Sequence, residues 1–252
     1  YDSRPSNLKL SSRKRINPYR AAKINKDLYV SKAVSSEPVN IHDKSVTFSD
    51  FKLNDRLLQN IKNIGYVHPT HIQSQVIQSI LQNKDVLGLA STGSGKTAAF
   101  LIPIVNNILN NPKSKCLVIT PTRELANQIK HEFVKLAKNT NLREVLLVGG
   151  ASAWDQIRLL NKNPKFVFAT PGRLLDLYSR GKVDLSGFDI VVLDEVDQML
   201  DMGFLNDIKK VVEVLKKPRQ SLFFSATMKP KLEDVAMTLL DNPVKVEIAK
   251  SE

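Results

Sequence analysis

The chain has 252 residues, 42% of them hydrophobic and 25% charged, which allows a large buried core in one or two domains. A single cysteine, Cys116, excludes an internal disulfide and a cysteine-based zinc site, and no apolar run approaches the ~20 residues needed to span a bilayer. The formal net charge of +12 points to acidic partners, with nucleic acid first among them.

Residues 1–45 hold ten Lys/Arg against four Asp/Glu, including the cluster Arg13-Lys14-Arg15, with scattered Ser and Asn. They read as a basic, extended or disordered arm, either a phosphate-binding tail or a solvated one. The start, Ser3-Arg4-Pro5-Ser6, also has the Ser- and Arg-rich character of an organelle transit segment. A folded domain is expected over 46–252. Helical periodicity runs over 54–64, 70–82, 97–109, 123–138, 152–161, 172–180, 204–216 and 229–240. Between these lie β-branched apolar runs at 86–90, 116–120, 145–148, 166–169, 190–193, 221–225 and 244–248. Runs such as Ile190-Val191-Val192-Leu193 are apolar throughout, which means burial on both faces. The expected fold is α/β: a parallel sheet of about seven strands with helices on both faces. Cys116 falls in one of these strands and reads as a buried residue rather than a reactive thiol. The histidines His42, His68, His71 and His131 have no metal-ligand spacing.

Ligands of such sheets bind beyond the carboxyl ends of the strands, and the chemistry-bearing residues follow strand ends here. After 86–90 comes Ala90-Ser91-Thr92-Gly93-Ser94-Gly95-Lys96-Thr97, opening into a helix. That is the form of a phosphate-wrapping loop: helix N-terminal N–H groups face the anion, and Lys96 adds a full positive charge. Thr97 supplies a hydroxyl for Mg²⁺ between the outer phosphates. After 190–193 comes Asp194-Glu195-Val196-Asp197. Asp194 at the strand end can hold Mg²⁺ opposite Thr97, and Glu195 can orient and deprotonate an attacking water. The plainer alternative is an acidic first turn of a helix, which the dipole favours.

With these signals, residues 48–250 resemble the N-terminal RecA-like domain of the DEAD-box RNA helicases of superfamily 2, a P-loop NTPase fold. Gly65-Tyr66-Val67-His68-Pro69-Thr70-His71-Ile72-Gln73 is similar to that family's Q motif, which makes Gln73 the adenine reader, with Tyr66 and Thr70 beside it. Phe48 stands where the family has an aromatic that stacks on adenine; taken alone it reads equally as a core residue. The loop 90–97 resembles motif I, with Ser91 where Gln is common. Pro121-Thr122-Arg123-Glu124-Leu125 resembles motif Ia, Gly149-Gly150 the glycine doublet, and Thr170-Pro171-Gly172-Arg173 motif Ib. The resemblance puts these along an RNA path, with contacts to sugar and phosphate and no sequence preference. Ser225-Ala226-Thr227 resembles motif III, which couples the nucleotide site to RNA, and Ser225 and Thr227 are expected to bond to Asp197. Val196 departs from the Ala that gives the family its name.

The resemblance implies ATP and Mg²⁺ as cofactors, RNA as partner, and a second RecA-like domain bearing arginines that reach the γ-phosphate. No residues after Glu252 build that domain, so this chain is expected to bind ATP, hydrolyse it very slowly and not unwind duplexes. It is further expected to be a monomer, free of membranes and cytoplasmic, with nucleus or organelle left open. The rival readings are an ATP-gated RNA clamp with slow hydrolysis and another P-loop nucleic-acid ATPase.

Overall fold

The computed structural model describes residues 41–248. Seven short strands carry the apolar runs: β1 (Val86–Leu89), β2 (Cys116–Ile119), β3 (Glu144–Leu147), β4 (Phe166–Ala169), β5 (Ile190–Leu193), β6 (Gln220–Ser225) and β7 (Val244–Glu247). They form one sheet in the order β3-β4-β2-β5-β6-β1-β7, and every pairing is parallel. The inner strands β2, β4, β5 and β6 are buried at every position, while β3 and β7 at the edges alternate with more exposed residues. This is why β2, β4 and β5 read as unbroken apolar runs, while β6 also buries the polar Gln220, Ser221 and Ser225.

The amphipathic stretches form α1 (Asp55–Ile64), α2 (His71–Leu81), α3 (Lys96–Asn110), α4 (Arg123–Leu136), α5 (Ala153–Leu160), α6 (Pro171–Ser179), α7 (Val196–Asp201), α8 (Leu205–Val214) and α9 (Pro230–Leu239). Strand side chains alternate between the two faces, so the sheet has two cores. Cys116, Val118, Leu222 and Phe224 join residues of α1 to α4 on one side. Leu117, Ile119 and Phe223 join residues of α6 to α9 on the other. Cys116 is fully buried, and burial pushes its thiol pKa up, consistent with an inert core residue. Among the described residues no helix is long and apolar enough to cross a membrane.

The expected fold class and all seven strands are present, and helix bounds shift by a few residues at most. Three features depart from the sequence reading. α7 is six residues long, too short for a 3.6-residue period to register. Phe48–Phe51 and Leu185–Gly187 form single 3₁₀ turns. The fold also begins earlier than expected, because residues 41–43 dock on the Q-motif segment. Asp43 N–H donates to Pro69 O (2.8 Å), His71 N–H donates to Ile41 O (3.0 Å), and His42 pairs with Thr70. The rest of the expected arm lies outside the described residues.

Phe133 of α4 packs on Phe166 (ring centroids 4.3 Å apart) and Phe168 (5.6 Å) of β4, fully inside the core. Phe133→Ala should destabilise the domain by about 3–5 kcal/mol through lost burial and a cavity. Urea unfolding would show this as a lower midpoint at unchanged slope.

Candidate functional site

The loop between β1 and α3 holds two glycines at positive φ, Gly93 (82°) and Gly95 (92°). Gly95 is required twice over. Its backbone lies in the left-handed region, and a Cβ there would stand 2.7 Å from Gln73 Nε2 and 2.9 Å from Thr70 Oγ1. Gln73 Nε2 donates to Gly95 O (3.1 Å), and its Oε1 accepts from Thr70 N–H (2.9 Å). The Q-motif amide thus clamps the phosphate loop as well as lining the space beside it. That space is a cavity of about 380 Å³ bounded by Tyr66, His68, Thr70, Gln73, Gly93 and Gly95, a size suited to a small ligand. Phe48 lies beneath this region rather than in its wall. It is 4% exposed and packs on Tyr66 (6.2 Å) and Phe51 (6.3 Å). In this arrangement it is a core residue, and stacking on a base would require uncovering its ring.

Lys96 opens α3 and is only 6% exposed. Its Nζ donates to Ala90 O (2.6 Å) and Ser91 O (2.9 Å), so the ammonium is folded onto the loop that it serves. Burial lowers its pKa, while Asp194, Glu195 and Asp197 oppose that. Phosphate oxygens would replace neutral carbonyls with charged acceptors, which form stronger bonds. Ser94 Oγ donates to Ser91 O (2.8 Å), tightening the turn. Thr92 is exposed and Thr97 half-buried, on the first turn of α3.

Asp194 follows β5 and is 2% exposed. Its N–H donates to Ile119 O at the end of β2 (3.0 Å), and its Oδ1 accepts from Glu195 N–H (3.0 Å). Burial pushes the carboxyl pKa up to about 7; Lys96 pulls it down, and Glu195 and Asp197 push it further up. Glu195 caps α7 with left-handed backbone (φ 54°, ψ 49°), a strain of roughly 1–3 kcal/mol for a non-glycine residue. Burial also raises its pKa, against the pull of Lys96. Val196 is buried in the core on the α6–α9 side, so its extra bulk relative to Ala points away from solvent.

Asp197 meets Ser225 and Thr227 as expected. Its Oδ2 accepts from Thr227 N–H (3.1 Å) and Oγ1–H (3.1 Å), and its own N–H donates to Ser225 Oγ (3.3 Å). Burial pushes Asp197 up, but the bonds from Ser225 and Thr227 outweigh it and its pKa is lowered. Ala90 N–H donates to Ser225 O (3.0 Å), which ties the ends of β1 and β6 together. Thr97 and Asp194 offer oxygen donors only, and the described residues hold no cluster of three His, Cys, Asp or Glu. This fits Mg²⁺, which takes one or two protein ligands and completes its shell with water and phosphate.

The remaining predicted residues gather in a second cleft of about 540 Å³, lined by Pro121, Thr122, Arg123, Gly149, Thr170, Gly172 and Arg173. The N-termini of α4 and α6 open here, one capped by Thr122, whose Oγ1 accepts from Leu125 N–H (3.2 Å), the other started by Pro171. Both present positive dipole ends. A side chain on Gly150 (φ 71°) would collide with the Arg123 guanidinium. Arg173 donates through Nη1 and Nη2 to Ala151 O (3.3 Å each), with Nε 3.7 Å from Asp176. Glu124 and Asp176 also line the cleft, so two carboxylates stand beside the two arginines, and Met202 and Phe204 complete it. Nothing in their local sequence marks them, because only the turn after α7 brings them there. Tyr66 was expected at the adenine site alone. Its hydroxyl also donates to Glu132 Oε1 (2.6 Å), joining the Q motif to α4.

A RecA-like parallel sheet bearing a phosphate loop, a buried carboxylate and an arginine-lined cleft on one edge defines the class. The pattern of the DEAD/DEAH box helicase family matches residues 70–235, and the chain belongs to that family. It is 44% identical over 217 residues to the DEAD-box ATP-dependent RNA helicase RhpA of Helicobacter pylori (strain B128), across 85% of this chain and 44% of that protein. It is 41% identical over 211 residues to the DEAD-box ATP-dependent RNA helicase CshA of Bacillus subtilis (strain 168), across 82% of this chain and 42% of that protein. The crystal structure of a DEAD box protein from the hyperthermophile Methanococcus jannaschii matches with a TM-score of 0.76 and 37% identity, over 80% of this chain and 55% of that one. The chain spans less than half the length of these two helicases.

Gly95→Ala should abolish nucleotide binding while leaving the fold intact by circular dichroism, because the added methyl displaces Gln73 and Thr70. Binding at wild-type strength would contradict this role. Asp194 also predicts a pH dependence. The unfolded chain releases this proton near the ordinary 3.8, whereas the folded protein holds it up to about 7, so stability falls as pH rises through that window. Asp194→Asn should therefore melt at least about 2 °C above wild type at pH 8, with the gap narrowing as pH falls below 7 and closing only near the ordinary 3.8. A pH-independent gap would contradict the burial argument.

Proposed function

We propose that this chain is the ATP-binding domain of an ATP-dependent RNA helicase. The observation that carries this reading is that Lys96, folded onto the loop after β1, and the buried Asp194 after β5 stand at strand carboxyl ends on the same sheet edge as the arginine-lined cleft. The printed names of the relatives support ATP and RNA as the ligands.

On this reading Lys96 and the N–H groups of residues 93–97 take the triphosphate, and Gln73 reads adenine from the cavity wall. Thr97 and Asp194 would hold Mg²⁺, which when bound neutralises charge on the outer phosphates. Glu195 accepts a proton from the attacking water, and its raised pKa brings it toward the working pH. Asp197, Ser225 and Thr227 relay the state of the site to β6. Arg123, Arg173 and the two helix N-termini hold an RNA strand by its phosphates, without base readout. In the whole protein a second RecA-like domain closes over both sites and supplies arginines to the γ-phosphate. Such residues are worth on the order of 10³–10⁵ in rate in phosphoryl transfer, so this chain alone turns over slowly.

Calorimetric titration checks the proposal. ATP–Mg²⁺ should bind at least about tenfold tighter than GTP–Mg²⁺, the cost of an unmatched buried polar group. Lys96→Ala should lose both. Equal affinity for GTP would remove the adenine-reading role of Gln73, and failure to bind either nucleotide would sink the proposal.

A further inference from the structure

We infer that Trp154 is a base-stacking platform for single-stranded RNA leaving the arginine-lined cleft, an inference that rests on reading that cleft as an RNA site. Trp154 is the only tryptophan in the chain and is 69% exposed. A tryptophan is the side chain with the most to gain from being covered, and neither core packs against this one. Its position ties it to the cleft. It stands in the first turn of α5, three residues after Ala151, so its Cα is at most about 11 Å from that of Ala151. Ala151 O is the group that both Nη atoms of Arg173 grip in the cleft.

The ring is carried on a fixed support. Ser152 Oγ caps α5 by accepting from Asp155 N–H (3.3 Å), and the buried Gln156 donates from Nε2 to Val148 O (3.0 Å), next to the glycine doublet. The Arg158 guanidinium lies over the indole, 5.4 Å from its centroid, and is itself held 3.4 Å from Asp155. One face of the ring thus carries a cation, and a base can stack on the other. Arg158 adds attraction for the phosphate backbone and a cation–π contact. Exposed aromatic faces hold strands without sequence preference, since every base has a π-face. The cleft residues hold phosphates; Trp154 adds a grip on a base just beyond them.

Because there is no other tryptophan, emission excited to the red of the tyrosine absorption band reports on this residue alone. The test is a titration of the chain at low salt with single-stranded oligoadenylate and with an abasic ribose-phosphate strand of equal length, alongside anisotropy of the labelled strands. Oligoadenylate should quench the fluorescence and the abasic strand should not. Trp154→Ala should weaken oligoadenylate binding by about tenfold and leave abasic binding unchanged, while Trp154→Phe retains most of the affinity. Circular dichroism melting of each variant confirms an intact fold. If oligoadenylate binds, is weakened by Arg173→Ala, and neither quenches Trp154 nor responds to Trp154→Ala, the stacking role is overturned while the RNA reading stands; the exposed indole is then a protein contact. If neither Arg123→Ala, Arg173→Ala nor Trp154→Ala alters binding of either strand, the RNA reading falls and this inference with it.

Discussion

All seven strands run in one direction, so every loop that leaves a strand's carboxyl end emerges on the same edge of the sheet. Helices α3, α4 and α6 each begin there, with N–H groups and positive dipole ends facing the same side. A parallel sheet cannot avoid building an anion-attracting edge, and the side chains at its strand ends decide what is attracted. The strand order then divides that edge. β5, β6 and β1 are neighbours and carry Asp194, Ser225 and the phosphate loop. β2, β4 and β3 are neighbours and carry Arg123, Arg173 and the glycine doublet. The boundary falls between β5 and β2, where Asp194 N–H bonds to Ile119 O. The residue central to the nucleotide site is thus fastened to the strand that leads into the second cleft.

The nucleotide half is assembled against local preference. Asp194 is a carboxyl in a dry site, Lys96 an ammonium with neutral acceptors, and Glu195 a non-glycine residue with left-handed backbone. Thr70 Oγ1 is buried with no hydrogen-bond partner. Each is locally unfavourable, and on the proposed function a bound phosphate would give Lys96 charged acceptors and a hard cation would give Asp194 a counter-charge. The two cores supply the stability that tolerates them, through aromatic contacts such as Phe133 on Phe166 and Phe100 on Phe224. The two sites also have a second link: Tyr66, in the wall of the nucleotide cavity, holds Glu132 on the helix that starts at Arg123.

Much of this was legible in the sequence because it is encoded locally. Strands buried on both faces are mostly apolar, as β2, β4 and β5 are throughout, and the phosphate loop needs its glycines at fixed places in the chain. The bond between Asp197 and Thr227 was also foreseeable, since both follow strand ends. What could not be read depends on how distant segments meet. Phe48 has the same sequence whether it faces a base or the core, and only packing on Tyr66 and Phe51 assigns it to the core. Residues 41–43 look like arm because their anchoring, by backbone bonds to Pro69 and His71 and by the His42 ring on His68 O (3.0 Å), produces no hydrophobic periodicity. Gln73 looked like a reader of adenine, and its clamp on Gly95 becomes visible only once the loop and α2 are side by side. Met202 and Phe204 reach the cleft through the short α7, whose length hides it from any periodicity.

On the proposed function one sheet edge carries two separate anion sites, one for nucleotide and one for RNA phosphates. Hydrogen–deuterium exchange with peptide resolution tests it most directly. ATP–Mg²⁺ should protect residues 90–97 and 194–197, and single-stranded RNA should protect 121–125, 149–152 and 170–173, with 225–227 responding to nucleotide. Protection of the 121–125 and 170–173 segments by nucleotide alone, with none at 90–97, would contradict it.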